Sequence, residues 1–519
     1  MTSRRTLALG LAASSVAFGW LSGCGGGTSN FNSSPAGAST TTAQVSGATP
    51  FSSGCGSMVP TNTTETFTVG SAVQPQIAAI PGAAVVGVWE QDRWSGVGAR
   101  AVMASRSTDG GATWSALSTL QLSNCGAGTG VGAGYDRASD PWISFAGNGI
   151  VVASSLAFAA NGFFQGTTGG PSAILMARST DGGVTWGAAT KVFEDLNPGP
   201  TIFFNDRDSV TADPATGNVY LVWDRLSSDP TLSMPAYLAL LTGAGATLGN
   251  VGVLYDPGPG NEAFNNQVVI LPSGAVLDFF TLVASTGVTS LQFVPVVISN
   301  GTWTPSASGS AATIATFTTS GTPSPIPGGL PIRDSYLMAQ AAVDPATGAV
   351  ALVWQRNFSS TTFDGIALSV STDGGAHWSV PKQVNGAAAF AAFSPTVRYL
   401  PGSVLAITYY DLRDFASGSS ALNTDLWLTE SSDAATWYEV RIQGPFDATK
   451  APVTNNNRPF GIGTAYFLGD NQGLALSGSN PLPLYAATNN GGAHVYATQS
   501  PSPLNSPTAH VYTALSARR

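Results

Sequence analysis

Ser107-Thr108-Asp109-Gly110-Gly111-Ala112-Thr113-Trp114 decides the fold, because the chain repeats it. It returns as Ser179-Thr180-Asp181-Gly182-Gly183-Val184-Thr185-Trp186 and as Ser371-Thr372-Asp373-Gly374-Gly375-Ala376-His377-Trp378. A worn copy stands at Ser431-Ser432-Asp433-Ala434-Ala435-Thr436-Trp437. Each follows an alternating apolar run, such as Ala101-Val102-Met103-Ala104 or Ile366-Ala367-Leu368-Ser369-Val370. Strand, Asp-Gly-Gly, then Thr-Trp reads as a hairpin whose turn the Asp carboxylate and the Ser or Thr hydroxyls tie down. The glycines supply positive φ angles, and the Trp leaves the turn to pack on a neighbouring surface.

Working outward, a second repeat emerges: apolar strand, short turn, apolar strand. Examples are Gln76 to Ile80 with Val85 to Trp89, and Trp142 to Phe145 with Ile150 to Ala153. Asp213-Pro214-Ala215-Thr216-Gly217 before Val219 to Trp223 is nearly duplicated by Asp344-Pro345-Ala346-Thr347-Gly348 before Val350 to Trp354. Further pairs fall at Val268 to Leu277, Thr396 to Tyr409 and Gly473 to Tyr485. Strand pairs every 50 to 70 residues or so, with a second hairpin between, predict an all-β propeller of four-stranded blades. Seven units can be counted, occupying residues 61–500, with a C-terminal tail over 501–519. The seventh lacks an outer strand of its own. Glu65 to Val69 is the expected closing strand, with His510 to Leu515 as its rival.

Met1 to Cys24 reads as an export signal: Arg4 and Arg5, an apolar core from Leu7 to Trp20, then Leu21-Ser22-Gly23-Cys24. The last four residues resemble a lipoprotein box, which makes Cys24 the acylated first residue of a protein anchored in a bacterial cell envelope. Ordinary cleavage near Gly23 is the alternative. Residues 25–60 form a Gly/Ser/Thr/Ala-rich tether and approach segment. With Cys24 lipidated, Cys55 and Cys125 remain as an even pair in an oxidising compartment. Charged residues make up 9% of the 519, and the net charge of -9 argues against a nucleic-acid partner. Three histidines supply little acid–base catalysis. No zinc spacing or phosphate loop is present, so no cofactor is expected. Calcium is the one candidate ion for the Asp-rich loops, none of which has the spacing of a calcium loop.

If the strands of a blade are A to D, the repeated Asp turns join C to D and the Asp-Pro-Ala-Thr-Gly turns join A to B, so both lie at one end. The D–A and B–C loops build the opposite face, where charge concentrates. Trp89-Glu90-Gln91-Asp92-Arg93, Trp223-Asp224-Arg225, Trp354-Gln355-Arg356 and Tyr410-Asp411-Leu412-Arg413 start B–C loops. Tyr135-Asp136-Arg137, Asp206-Arg207, Arg333-Asp334 and Asn457-Arg458 lie in D–A loops. Arg137, Arg207, Arg333 and Arg458, with Asp136, Asp206 and Asp334, are thus candidate ligand-binding residues. A guanidinium binds a carboxylate in a planar fork, so an acidic glycan or similar anion is the expected ligand. The rival reading pairs these Asp and Arg residues across blade junctions, where they tie the face together.

The Asp-Gly-Gly-x-Thr-Trp turns resemble the Asp box, or bacterial neuraminidase repeat, of the sialidase superfamily. The resemblance covers residues 75 to about 500 and implies a propeller, six-bladed in its familiar form, with the Asp boxes on the side away from the active site. It implies three carboxylate-gripping arginines, a Tyr nucleophile activated by Glu, and an Asp acid/base. The Arg-Ile-Pro motif that carries the first arginine is absent; Pro331-Ile332-Arg333 is the nearest string. Tyr336, Tyr409 and Tyr410 stand without an evident Glu in sequence, and Glu262 is the Glu of a D–A loop. Tyr336, Glu262 and Asp411 are accordingly the catalytic candidates. Asp206 to Asp213 and Gly217 to Trp223, with Phe467 to Leu474, resemble secreted sialidase-like propellers. Two expectations follow: a surface-anchored propeller that binds acidic glycans or serves as a scaffold, and an exo-sialidase with a shifted arginine set.

Overall fold

The computed structural model describes residues 40–52, 55, 65–127, 129–160, 169–358, 362–455, 463–489 and 491–516. They are almost entirely β, and the strands gather into successive four-stranded antiparallel units. The first strands of the seven units are Phe67–Ile80, Arg137–Phe145, Phe203–Ala212, Glu262–Ile270, Gln340–Val343, Ala392–Leu400 and Gly473–Ser477. Each touches the first strand of the next unit, and that of the seventh touches that of the first. The first two units are also joined by one pairing, Ala99↔Ala138.

The second strands begin with runs buried on both faces, such as Val219 to Trp223, because each sheet is packed between two others. Val219–Ser227 is buried almost throughout. Apolar clusters sit at the junctions, and one of them joins the last unit to the first. In it Leu482, Leu484 and Val495 pack with Ile77, Val85, Trp89 and Met103. Burying a side chain such as Leu482 contributes about 1.5–3 kcal/mol. The same junction needs Gly469: its φ is +128°, and a Cβ there would stand 2.6 Å from the Gln74 nitrogen.

The repeated Asp turns have one geometry. Asp109 accepts from the Ser107 hydroxyl (2.8 Å), the Thr113 nitrogen (2.9 Å) and the Thr113 hydroxyl (2.5 Å). Asp181 does the same with Ser179 and Thr185. Each turn rests on the preceding sheet. A Cβ on Gly183 would meet Val86 at 2.8 Å, and one on Gly111 would meet Leu482 at 2.7 Å. The second contact again joins the first unit to the seventh. The Thr185 hydroxyl and nitrogen hold the Asp181 carboxyl down at about 2. That contribution is complete above the ordinary carboxylate range and is lost as the pH falls toward 2. We expect Asp181→Ala to cost about 1 kcal/mol in chemical denaturation at neutral pH, because water screens this exposed turn.

The strand that completes the seventh unit is Thr41–Gln44, paired antiparallel with His494–Gln499. Neither sequence candidate fills that place. Glu65 to Val69 leads instead into the long first strand of unit one, where Phe67 pairs with Trp94. His510–Thr513 pairs with the outer strand of unit six, and Leu515–Ser516 with that of unit five. The sheets therefore begin inside the stretch read as tether, and the tail contributes strands to two units.

Cys55 and Cys125 are joined by a disulfide, with Cα atoms 5.5 Å apart across a sequence separation of 70. Closing a loop of that length stabilises by at most about 4 kcal/mol. Cys55→Ser with Cys125→Ser should lose less than this, because strands on both sides already hold the loop; calorimetry of the double variant measures it.

Candidate functional site

Five of the first strands carry the same irregularity. Gln74 and Pro75 oppose Trp89 alone, Asp140 and Pro141 oppose Ser155, and Arg207 and Asp208 oppose Trp223. Asn265 and Asn266 oppose Phe280, and Ser394 and Pro395 oppose Tyr409. In every case the leading residue is left-handed: φ is 54° at Gln74, 52° at Asp140, 52° at Arg207, 57° at Asn265 and 48° at Ser394. Two residues against one make a β-bulge, which re-aims the side chain it carries. A non-glycine residue at positive φ costs of order 1 kcal/mol, so the surroundings must hold it there.

Part of that hold comes from the residue after each B-strand tryptophan. Glu90 accepts from the Asp140 nitrogen at 3.2 Å, Asp224 from the Asn265 nitrogen at 3.3 Å, and Gln355 from the Ser394 nitrogen at 3.0 Å. The Trp-Glu, Trp-Asp and Trp-Gln steps of the repeated B–C element thus bond the bulge of the following unit.

The bulges bring together groups distant in sequence. Gln74 donates to Asp140 at 2.5 Å, and Arg207 donates to Asp140 at 3.2 Å and reaches Asp470 at 2.5 Å. Arg333 forks onto Asp470 with both bonds at 3.0 Å. Burial pushes the Asp470 carboxyl up, but Arg207 and Arg333 outweigh it and hold it well below the usual range. Beside them Arg93 bonds Glu90 at 2.7 Å and lies 4.0 Å over the Phe467 ring. A polar cavity bounded by Asp140, Arg207, Asp208, Asn265 and Asn266 has about 10 Å³ of free space. That is room for one water molecule.

The remaining sequence candidates fall in several places. Arg137 is buried, bonds Glu65 at 2.6 Å and the Val97 carbonyl at 3.0 Å, and lies over Trp94. Asp136 accepts from the Ala160 nitrogen and so braces a loop. Asp206 is buried in the first strand of unit three, paired with Asp224. Asp334 accepts from the Thr322 hydroxyl, and burial pushes it up to about 6. Glu262 is buried, and loss of solvent raises it to about 8 against the pull of Arg207. Half-buried Tyr336 is raised first by burial and then by Asp334 and Glu262. Asp411 lies apart from these groups, bonded to Arg413 at 2.5 Å and to the Trp427 indole at 2.9 Å. Arg458 and Cys24 lie outside the described residues.

Sequence reasoning missed a Tyr–Glu pair. The Tyr409 hydroxyl bonds Glu439, and Arg413 bridges both, at 2.7 Å to Glu439 and 3.1 Å to Tyr409. Thirty residues separate the two, and only the pairing of the strands of unit six brings them together. Tyr409 is fully buried, its hydroxyl raised by burial and by Glu439, so it is closed to a substrate as it stands. Among the described residues no group of three or more His, Cys, Asp or Glu is placed to hold a metal, and no helix is long and apolar enough to cross a membrane.

No family model matches the chain, and no curated protein does. Solved structures resemble it distantly. The Hadza microbial sialidase Hz136 is 16% identical, with 65% of this chain and 63% of that one aligned at a TM-score of 0.42. The chain therefore spans under two thirds of that protein's length. The Penicillium chrysogenum α-L-arabinanase complexed with arabinobiose is 14% identical over 73% of this chain and 94% of that one, TM-score 0.43. NanB sialidase from Streptococcus pneumoniae is 12% identical over 72% and 68%, TM-score 0.41. Likeness of this depth speaks to neither activity nor ligand.

Proposed function

We propose that this chain is an exported, lipid-anchored propeller of seven blades that acts as a non-catalytic binding or display scaffold. The cyclic contacts among first strands, and the apolar cluster between units seven and one, support seven blades and closure. One observation carries the scaffold reading. Arg137, Arg207 and Arg333 are each ion-paired with a buried carboxylate of the protein itself, and the cavity beside Arg207 has space for one water. A sugar carboxylate would have to displace Glu65, Asp140 or Asp470 and leave that acid buried and unpaired, which costs several kcal/mol.

Screening on an array of neutral and acidic glycans, with fluorogenic sialoside and arabinofuranoside substrates, tests this. The expected result is no turnover, no acidic glycan whose binding depends on Arg137, Arg207 or Arg333, and lowered melting for each Arg→Ala variant. Binding of a sialoside or uronate that Arg333→Ala abolishes, with melting intact, would restore the carboxylate-site reading. Hydrolysis of either substrate, lost in Glu262→Gln, would make the protein a glycosidase.

A further inference from the structure

Asn-Gly steps occur at Asn148, Asn161, Asn300, Asn385 and Asn490. Asn161 and Asn490 lie outside the described residues, and the fold puts the other three in unlike surroundings. Unit four inserts an extra hairpin, Val297–Ser299 with Thr302–Thr304, between its third and fourth strands, Thr289–Pro295 and Ala312–Phe317. Ser299 pairs with Thr302, so Asn300 and Gly301 make the turn, both left-handed with φ of 51° and 74°. Asn-Gly is the favoured sequence for a two-residue turn of this hand. Both residues are exposed, and a Cβ on Gly301 would meet nothing within 4 Å. The other two steps are held. Asn148 is exposed, but the carbonyls around it are engaged: that of Gly147 accepts from the Ile150 nitrogen at 2.8 Å, and that of Gly149 from the Gly182 nitrogen at 2.8 Å. Asn385 is buried, its side-chain oxygen accepting from the Ile366 nitrogen at 3.0 Å and its amide donating to the Ala387 carbonyl at 3.2 Å. The Gly386 nitrogen donates to the Tyr409 hydroxyl at 2.9 Å and to Glu439 at 3.3 Å.

We infer that Asn300 is a site of spontaneous covalent modification in the folded protein, converted through attack by Gly301 into aspartate and isoaspartate. The Gly301 nitrogen, having given its proton to solvent base, attacks Cγ of Asn300. The Cγ–Nδ2 bond breaks, ammonia leaves with a proton from water, and a five-membered imide remains. Water then adds to one imide carbonyl. Breaking the new Cγ–N bond gives aspartate, and breaking the original peptide bond gives isoaspartate, with no oxidant or reductant involved. Glycine suits the attacking position because its nitrogen carries no obstructing side chain and its backbone can swing toward Cγ. At Asn385 the same nitrogen and amide are bonded and buried, so reaction there waits on local opening. The product adds a carboxylate to a chain whose net charge is already -9. Isoaspartate also lengthens the main chain by a methylene at a turn that sets hairpin register. Trp303 clamps this hairpin to the outer strand of unit three, Thr247–Tyr255. Its indole donates to the Asn250 carbonyl at 3.2 Å, and its carbonyl accepts from the Asn250 side chain at 3.3 Å. The modification therefore loosens that clamp.

Full-chain protein held at pH 8, folded or in guanidinium chloride, would be digested at intervals. Peptide mapping by mass spectrometry, with electron-transfer fragmentation to tell isoaspartate from aspartate, reads the conversion. In the folded protein the amide-to-acid mass gain should appear first at Asn300, then at Asn148, and at least about tenfold more slowly at Asn385 than at Asn300. In guanidinium chloride the three should convert at similar rates. Conversion at Asn148 or Asn385 as fast as at Asn300 in the folded protein would overturn the assignment. An intact Asn300 over the interval in which the unfolded protein converts would overturn it equally. The separated isoaspartate form should exchange the Trp303 and Thr304 amides with deuterium faster than unmodified protein does; unchanged exchange there would overturn the link to the clamp.

Discussion

Asp470→Ala should be among the most damaging single substitutions in this protein, costing about 3–5 kcal/mol of stability. Its carboxylate holds two arginines that arrive from different units, Arg333 through a fork at 3.0 Å and Arg207 at 2.5 Å. All three side chains are almost fully buried. Deleting one member of such a set leaves charge in a low-dielectric place without a partner, whereas replacing the set with apolar groups often costs little. The comparison to make is therefore Asp470→Ala against the triple variant Asp470→Leu, Arg207→Met, Arg333→Met, by equilibrium denaturation at pH 7. The single variant should be the less stable. If Asp470→Ala leaves stability unchanged, these arginines are not held by the fold and are free to take an outside ligand.

That pairing was out of reach of the sequence. Arg333 and Asp470 are 137 positions apart, and nothing local distinguishes their union from a ligand site. The Asp turns were legible because the carboxylate and hydroxyl bonds that tie them down fall within about five residues, so the motif contains its own geometry. The A–B turns were legible for the same reason: Asp213 bonds the Ala215 nitrogen and the Thr216 hydroxyl. The bulges left a trace that strand periodicity passes over. Gln74-Pro75, Asp140-Pro141 and Ser394-Pro395 each put proline inside a first strand, a position proline takes at a bulge or an edge. The closing strand left less. Thr41–Gln44 is four residues long, mostly exposed and polar, so it has no apolar alternation to betray it.

The second large effect concerns pH. Several buried carboxyls are raised above the ordinary carboxylate range, and burial is the leading cause in each. Glu262 is pushed to about 8, Asp364 to about 7, Asp425 to about 7, and Asp334 and Asp411 to about 6. Neighbouring acids add to this, as Asp334 does for Asp364. In the unfolded chain these groups titrate near 4. Between the two values the folded state binds protons that the unfolded state has released, so stability falls as pH rises. The contribution is complete below about pH 4 and is lost progressively up to about pH 8. A carboxyl raised to about 7, as Asp364 is, corresponds to about 4 kcal/mol at the alkaline end. The Asp turns act in the opposite sense, but only below about pH 4, and they are exposed. The protein should thus be most stable near pH 4–5 and weaken by several kcal/mol toward pH 8. Glu262→Gln removes one such proton without changing the shape of the side chain. It should raise stability at pH 8 and leave it nearly unchanged at pH 5, which places Glu262 as a buried proton holder. Denaturation curves of both proteins across pH 4–9 decide the matter. Wild-type stability that climbs from pH 5 to pH 8, or a Glu262→Gln variant weakened equally at both ends, would show that these acids ionise in the fold.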